Sequence, residues 1–194
     1  MVNCILNPSI TDSRKKLNWR EQWIKKKDYL EFFFDKNIKG KYEIIDESIN
    51  YYFSMIELAI YYLKEYDNYY DYNYIQHKIV FDNTFFNKNT IMEDVKERDF
   101  SEYLKYLFYN KNYNINDSYK LIDNSRNGFN YDLIVARMIY PSYYIYYLEK
   151  VIIENEELDK LVYIVQKSSE YEEYVRLIVD RINKKINKKI ISPF

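Results

Sequence analysis

Apolar residues recur every three or four positions along most of the chain, which is the spacing of one buried face on an α-helix. The clearest stripe predicts a helix over 45–66, and its members are Ile45, Ile49, Tyr52, Phe53, Ile56, Ile60 and Leu63. A second stripe, which starts at Trp19 and Trp23, predicts a helix from Asn18 or Trp19 to Phe34. Gly40 lies between the two stripes, so residues 37–42 are predicted to form a turn.

The second half of the chain is also predicted to be helical, with boundaries set by capping residues and by proline. Asp99 is followed three residues later by Glu102, which is the spacing of a capping box at a helix start. Asn130 predicts the start of a helix over 131–139, and Pro141 prevents its continuation because proline lacks a backbone N–H. Further helices are predicted over 117–124, 142–153, 156–167 and 169–187, the last with Ser169 and Glu172 as its capping pair.

Only one region of the chain is typical of β structure. Residues 75–81 and 85–92 are short, apolar and β-branched, and the turn formers Asp82, Asn83 and Thr84 separate them. They predict one small β-hairpin over 75–92. The segment 67–74 is predicted to be a surface loop, and residues 1–17 an irregular N-terminal segment. The chain is therefore expected to be a single, mainly α domain over 1–194.

Composition and charge limit the classes of partner. Charged residues make up 30% of the 194 residues and the net charge is −1, so no overall preference for nucleic acid or an anionic membrane is expected. The longest apolar runs are too short to span a bilayer, and the N-terminus lacks the pattern of a secretory signal. The one cysteine, Cys4, excludes an internal disulfide and fits a reducing compartment. These features predict a cytoplasmic protein.

Two compositional features have both a functional and a neutral interpretation. The 25 tyrosines accompany many Asn, Lys and Ile residues, which indicates an AT-biased genome more than a role in contacts or oxidative cross-linking. The cations of the last predicted helix are interpreted as a solvated face rather than as a site for acidic partners, and these are Arg181, Lys184, Lys185 and Lys188.

Residues that support known catalytic chemistry are few. Only two glycines are present, and a phosphate-binding loop or a dinucleotide fingerprint needs several within a few residues. One cysteine and one histidine are too few for a zinc site, so neither a metal nor a cofactor is expected. The histidine, His77, is interpreted as a hydrogen-bonded residue in or near the core. Glu93 and Asp94 are adjacent on a predicted strand and should point to opposite faces, which leaves Asp94 alone as an acid–base candidate.

Four stretches resemble, in the same order, motifs of CotS/YutH-like spore-coat proteins, which belong to the aminoglycoside phosphotransferase and choline kinase-like superfamily. Residues 19–31 (WREQWIKKKDYLE) are similar to W-K-x-x-W-x-x-R-x-D-x-L-E, and residues 50–61 to the helix P-Y-Y-x-G-L-A-E-N-A-I-Q. Residues 98–103 (RDFSEY) resemble R-D-L-A-E-W. Residues 136–141 (ARMIYP), continued to Glu149, resemble A-R-L-L-F-P-x-x-Y-F-x-x-x-E.

The resemblance implies the helical C-terminal lobe of a kinase-like fold, and no segment of this chain resembles the β-rich nucleotide lobe. Active members carry H-x-D-x-x-x-x-N, whose Asp positions the acceptor hydroxyl and whose Asn helps to hold magnesium. Alignment on His77 places Ile79 at the Asp position and Thr84 at the Asn position, and Asp82 is out of register. The next metal-binding Asp falls at Asp94.

The same resemblance assigns structural roles to three residues of the quoted motifs. Asp99 matches the family's R-D and is interpreted as a helix cap that holds the lobe together, and Arg137 and Pro141 are interpreted as structural.

Three hypotheses follow from these observations. The first is a catalytically inactive, kinase-like lobe that binds other proteins as a spore-coat or sporulation-associated protein, with homo-oligomerisation left open. The second is a residual phosphotransferase or nucleotide-binding module that uses Asp94 and needs a separate N-lobe partner, with His77, Asp82 and Asp94 as the candidate residues of a remnant site. The third is a helical adaptor unrelated to spores. Nucleic-acid and membrane partners are not expected in any of them.

Overall fold

The computed structural model describes residues 5–77, 91–110, 112–125, 128–154, 158–187 and 190–194. In chain order the elements are β1 (Ile10–Lys16), α1 (Trp19–Phe33), α2 (Glu43–Tyr62), β2 (Tyr70–His77), β3 (Ile91–Asp94), α3 (Glu97–Tyr109), α4 (Ile115–Asn124), α5 (Tyr131–Ile139), α6 (Ser142–Glu154), α7 (Leu158–Gln166) and α8 (Ser168–Ile186). The fold is thus mainly α with one small antiparallel sheet, as the hydrophobic pattern predicted.

Helix α5 lies at the centre of the core and packs against α2, α3 and α8. Its residues from Leu133 to Ile139 are all buried. The helix starts where the sequence predicted, because the Asn130 side chain accepts hydrogen bonds from the backbone N–H groups of Asp132 and Leu133. It ends before Pro141, and α6 begins directly after that proline. Capping and proline therefore fix this part of the fold locally.

Helices α1 and α2 form the first layer, and the turn between them lies close to its predicted position. The predicted stripe of α2 faces the core, with Ile45, Ile49 and Ile56 almost fully buried. A π-helical turn over Phe34–Ile38 extends α1 into the predicted turn. Gly40 has φ +78°, a left-handed conformation that favours glycine, and its N–H donates to the Asp46 carboxylate.

The sheet has the strand order β1-β2-β3, with both neighbouring pairs antiparallel. Two predictions were wrong here: β1 lies within the segment predicted to be irregular, and β2 begins at Tyr70, inside the predicted loop 67–74. Asp71 and Asn73 are turn formers, but pairing with β1 overrides that local preference. The predicted turn at Asp82 lies in 78–90, outside the described residues.

Two predicted helix caps were also wrong. Helix α3 begins at Glu97, two residues before Asp99, and the residue before it gives no side-chain cap. Helix α8 begins at Ser168, so Ser169 lies inside the helix. Its supposed capping partner, Glu172, instead accepts a hydrogen bond from the Tyr51 hydroxyl at 2.6 Å. The Asp99 carboxylate binds His77, and the Glu172 carboxylate binds Tyr51. In both cases the carboxylate accepts a hydrogen bond from a residue distant in sequence instead of capping its own helix.

Candidate functional site at the junction of sheet and helices

The first turn of α3 connects the sheet to the helical body through Arg98. Its Nε donates to the carbonyl oxygen of His77, the last residue of β2, at 3.2 Å. Its Nη1 donates to Oδ2 of Asp94, the last residue of β3, at 3.1 Å. The Arg98 and Asp94 side chains are each 11% exposed. His77 and Asp94, both candidates from the sequence, therefore lie on either side of the buried Arg98 guanidinium.

Both carboxylate oxygens of Asp94 accept hydrogen bonds from neighbouring groups. The indole Nε1 of Trp19, at the start of α1, lies 3.0 Å from Oδ1 and 2.9 Å from Oδ2. The backbone N–H of Val95 donates to Oδ1 at 2.8 Å, and Arg98 binds Oδ2. Glu93 points to the other face of the sheet, where it pairs with Lys15. Asp94 thus joins β3, α1 and α3.

The carboxylate of Asp99 binds the end of β2. Oδ1 accepts the backbone N–H of His77 at 2.9 Å, and Oδ2 lies 2.5 Å from His77 Nδ1. The backbone N–H of Asp99 donates in turn to Oε1 of Gln76 at 2.8 Å. Asp99 is 4% exposed and His77 is 16% exposed. These contacts attach the N-terminal turn of α3 to the last two residues of β2.

The arrangement is suited to holding the sheet on the helices and poorly suited to phosphoryl transfer. A catalytic or metal-binding carboxylate must direct an oxygen at magnesium or at the acceptor hydroxyl. To do so, Asp94 would have to release Trp19 or Arg98, and the Arg98 cation would remain beside the metal. No group of three or more His, Cys, Asp or Glu residues in the described ranges is arranged to hold a metal ion.

A buried ion cluster centred on Glu102 lies further along α3. Oε1 of Glu102 accepts from Arg137 Nε at 2.7 Å and lies 3.3 Å from Lys105 Nζ, and Oε2 accepts from the Ser142 hydroxyl at 2.9 Å. Burial alone would raise the pKa of Glu102, but the charges of Lys105, Arg137 and Arg98 outweigh it and lower the pKa to about 2. The cluster joins α3, α5 and α6.

The guanidinium of Arg137 also packs among aromatic rings. It lies 5.2 Å from the Trp19 ring, 5.7 Å from the Trp23 ring and 5.4 Å from the Tyr140 ring. Trp23 and Tyr140 are stacked, with ring centroids 4.3 Å apart. Cation–π attraction is strongest for such desolvated pairs. Arg137 therefore links the start of α1 to the ion cluster.

A second buried carboxyl, that of Glu97, was not recognised from the sequence. Its Oε1 accepts the backbone N–H of Asn130 at 2.8 Å, and no described group donates to Oε2. Burial raises the pKa of Glu97 to about 7, although the hydrogen bond from the Asn130 N–H and the charge of Lys96 act in the opposite direction. The sequence pattern that could have revealed it is the spacing of Glu97, Ser101 and Lys105, which repeats every four residues and places polar groups on one buried face of α3.

The cations of α8 are less solvated than predicted. Arg181 pairs with the carboxylate of Asp123 near the end of α4. Lys185 Nζ donates to the carbonyl oxygens of Ile122 and Ser125, at the C-terminal end of α4. Lys184 is exposed, and Lys188 lies outside the described residues. Two of the four cations thus fasten α8 to α4.

The structure brings His77, Asp94 and Asp99 together around Arg98, whereas Arg137 lies in the separate Glu102 cluster. Pro141 follows α5, and its carbonyl oxygen accepts the N–H of Ile145 in α6. Asp82 and the motif positions Ile79 and Thr84 lie outside the described residues.

Comparison with known proteins gives no relative: no protein-family model, curated protein or solved structure matches this chain. Among the described residues, no helix is both long enough and apolar enough to cross a membrane.

Proposed function

We propose that this chain is a catalytically inactive, kinase-like helical lobe that acts by binding other proteins, as a spore-coat or sporulation-associated component. The observation that carries this proposal is the engagement of the Asp94 carboxylate by Trp19, Val95 and Arg98. A carboxylate held in this way supports the fold and is not directed at a nucleotide. The alignment of Ile79 with the catalytic Asp position of the family motif agrees with that interpretation.

Contacts among the four motif stretches support the kinase-like resemblance. Arg137, of the fourth stretch, binds Glu102 of the third and packs on Trp19 of the first. Tyr52, of the second stretch, stacks on Tyr144 of the continued fourth stretch, with ring centroids 3.6 Å apart. Residues that were matched by sequence order alone therefore contact one another across the core.

Exposed aromatic residues on α1 support a role in protein contact. Tyr29 is 40% exposed and Phe32 is 56% exposed, and Lys36 Nζ lies 4.1 Å from the Phe32 ring centroid. Aromatic residues are enriched in protein–protein interfaces, where they supply apolar area at a low cost in conformational entropy. The nearby lysines keep such a surface soluble before it is covered.

Thermal unfolding with and without millimolar Mg-ATP tests the absence of nucleotide binding. No change in melting temperature is expected, because Asp94 is not available to the metal. A ligand that binds only the folded state at a hundredfold excess over its Kd would stabilise it by about 2.7 kcal/mol. For a domain of this size that is a shift of several degrees.

Asp94→Asn is the test variant in this experiment. Asp28→Asn is its matched control, since Asp28 is exposed on α1. Each variant is compared with itself, with and without Mg-ATP, so that its own stability cancels. A nucleotide-dependent shift in the parent and in Asp28→Asn that disappears in Asp94→Asn would overturn the proposal in favour of a residual nucleotide-binding module.

The spore-coat assignment has a separate test. A fluorescent fusion of the chain, expressed in a sporulating bacterium, is expected to concentrate at the spore surface. The control is the same fluorescent fusion with Trp19→Ala and Arg137→Ala, two changes that remove contacts between the motif stretches. If the fluorescent label alone caused the localisation, this control would concentrate at the spore surface as well. Diffuse fluorescence of the parent throughout the mother cell would contradict the coat assignment and leave the non-catalytic interpretation standing.

A further inference from the structure

Among the described residues, strand β1 forms one edge of the sheet. β2 pairs with it on one side, and no described strand lies on the other. Leu17 N–H donates to the Tyr69 carbonyl oxygen at 2.9 Å, and the same register continues through Lys16↔Tyr70 to Arg14↔Tyr72. Hydrogen-bonded pairs alternate along antiparallel strands. The backbone N–H and C=O groups of Arg14 and Lys16 therefore point away from β2, where a further strand would bind them.

The side chains beside this edge are cationic and aromatic. Arg14 and Lys16 are exposed and share one face of the sheet with Tyr70 and Tyr72, which are 57% and 42% exposed. The Arg14 guanidinium lies 4.9 Å from the Tyr72 ring centroid, and Lys16 Nζ is 3.5 Å from Asn68 Oδ1. Neither cation forms an ion pair with any carboxylate whose side chain the structure describes. Both charges are therefore available to a partner.

We propose that β1 accepts an acidic β-strand from a partner protein, with carboxylates at every second position. Alternate residues of an added strand lie on the same face of the sheet. Carboxylates two residues apart would therefore lie beside Arg14 and Lys16, while the backbone groups of β1 supply the hydrogen bonds of strand addition. This inference deepens the proposed function and rests on it, because it names the chemistry of the partner.

Charge disfavours a second copy of this chain as the occupant of the β1 edge. Two β1 edges paired with each other would place Arg14, Lys15 and Lys16 of one copy against the same cations of the other, and like charges on neighbouring strands are destabilising. Natural proteins use lysines on edge strands to prevent this self-pairing. The charge that prevents self-pairing favours an acidic strand.

The test measures binding of the acetylated, amidated peptide TEVEVET to the full chain by NMR. Binding is expected to shift the backbone amide resonances of Arg14 and Lys16 more than those of α8. The same peptide with every central amide N-methylated removes strand pairing but keeps the charges, and it is expected not to bind. The peptide TKVKVKT keeps the strand pattern and reverses the charge, and it is also expected not to bind.

Charge reversal at Arg14 and Lys16 tests whether these two cations bind the peptide carboxylates. Arg14→Glu with Lys16→Glu is expected to weaken TEVEVET binding by about tenfold or more and to allow TKVKVKT to bind. The matched control is Lys41→Glu with Lys184→Glu, which changes net charge equally at exposed positions away from the sheet. Circular dichroism of both double variants verifies folding.

Three outcomes would overturn the inference: no binding of TEVEVET, equal binding of its N-methylated form, or equal loss of binding in both double variants. The last two would mean ionic adsorption without strand addition. Each outcome is separable from failure of the proposed function, which depends on the Mg-ATP response of Asp94→Asn. If neither the peptide nor the nucleotide binds, only the edge-strand inference is lost.

Discussion

Replacing Glu102 by glutamine is expected to lower the free energy of unfolding by about 3–5 kcal/mol, because it leaves buried cations without their carboxylate. Glu102 is the shared acceptor for Arg137 and Lys105, and its side chain is 4% exposed. The neighbouring cations Lys105, Arg137 and Arg98 hold the pKa of Glu102 below its usual value despite its burial, so the charged form is the one that the cluster stabilises. Urea unfolding followed by circular dichroism measures the loss.

Two further variants test whether the lost stability comes from the unpaired buried cations. Glu173→Gln removes the exposed pair of Glu173 with Arg176, and a change of about 1 kcal/mol or less is expected. Adding Lys105→Met to Glu102→Gln removes one of the stranded cations, so part of the lost stability should return. A Glu102→Gln variant as stable as Glu173→Gln would contradict the view that this cluster holds α3, α5 and α6 together.

Glu97→Gln is expected to remove a pH-dependent destabilisation. The folded-state pKa of Glu97 is raised, because of burial, from 4.5 to about 7. Below pH 4.5 this carboxyl is protonated in both states and costs nothing. Between pH 4.5 and 7 the unfolded state releases the proton while the folded state retains it, so stability falls as pH rises. Above pH 7 the full cost, about 3 kcal/mol, remains.

The measurement is the stability of Glu97→Gln relative to the parent at pH 4.5 and at pH 8. Between pH 4.5 and pH 8, the free energy of unfolding of Glu97→Gln is expected to rise relative to that of the parent by about 3 kcal/mol. Any pH-independent cost of the new amide cancels in this comparison. Glutamine keeps the oxygen that accepts the Asn130 N–H. The exposed Glu47→Gln serves as the control and should follow the parent at both pH values. Parallel curves for Glu97→Gln and the parent would contradict the prediction.

At the candidate site, local sequence patterns identified important residues but did not predict which groups those residues bind. Asp99 has the spacing of a helix cap relative to Glu102, yet its carboxylate binds His77, which is 22 residues away in sequence. Glu102 likewise binds Arg137, 35 residues away. A capping motif describes only the nearest backbone donors. Where a stronger or better-placed donor comes from another element, the carboxylate binds that donor instead.

The sequence by itself determined the buried face of α2 and the limits of α5. Periodic apolar positions gave the buried face of α2, Asn130 gave the start of α5, and Pro141 separated α5 from α6. These features depend on residues within one or two turns, so they can be predicted without knowing the rest of the fold.

Only the tertiary structure decided the sheet and the bonding of the buried charges. β1 and the first half of β2 contain turn-forming and charged residues, and they become strands because each supplies the other's hydrogen bonds. Glu97 and Glu102 are buried, and Asp94 is partly buried, because Asn130, Arg137 and Trp19 come to them from other elements. A strand or a buried charge is stable only with a partner, and sequence spacing does not specify a partner that is distant along the chain.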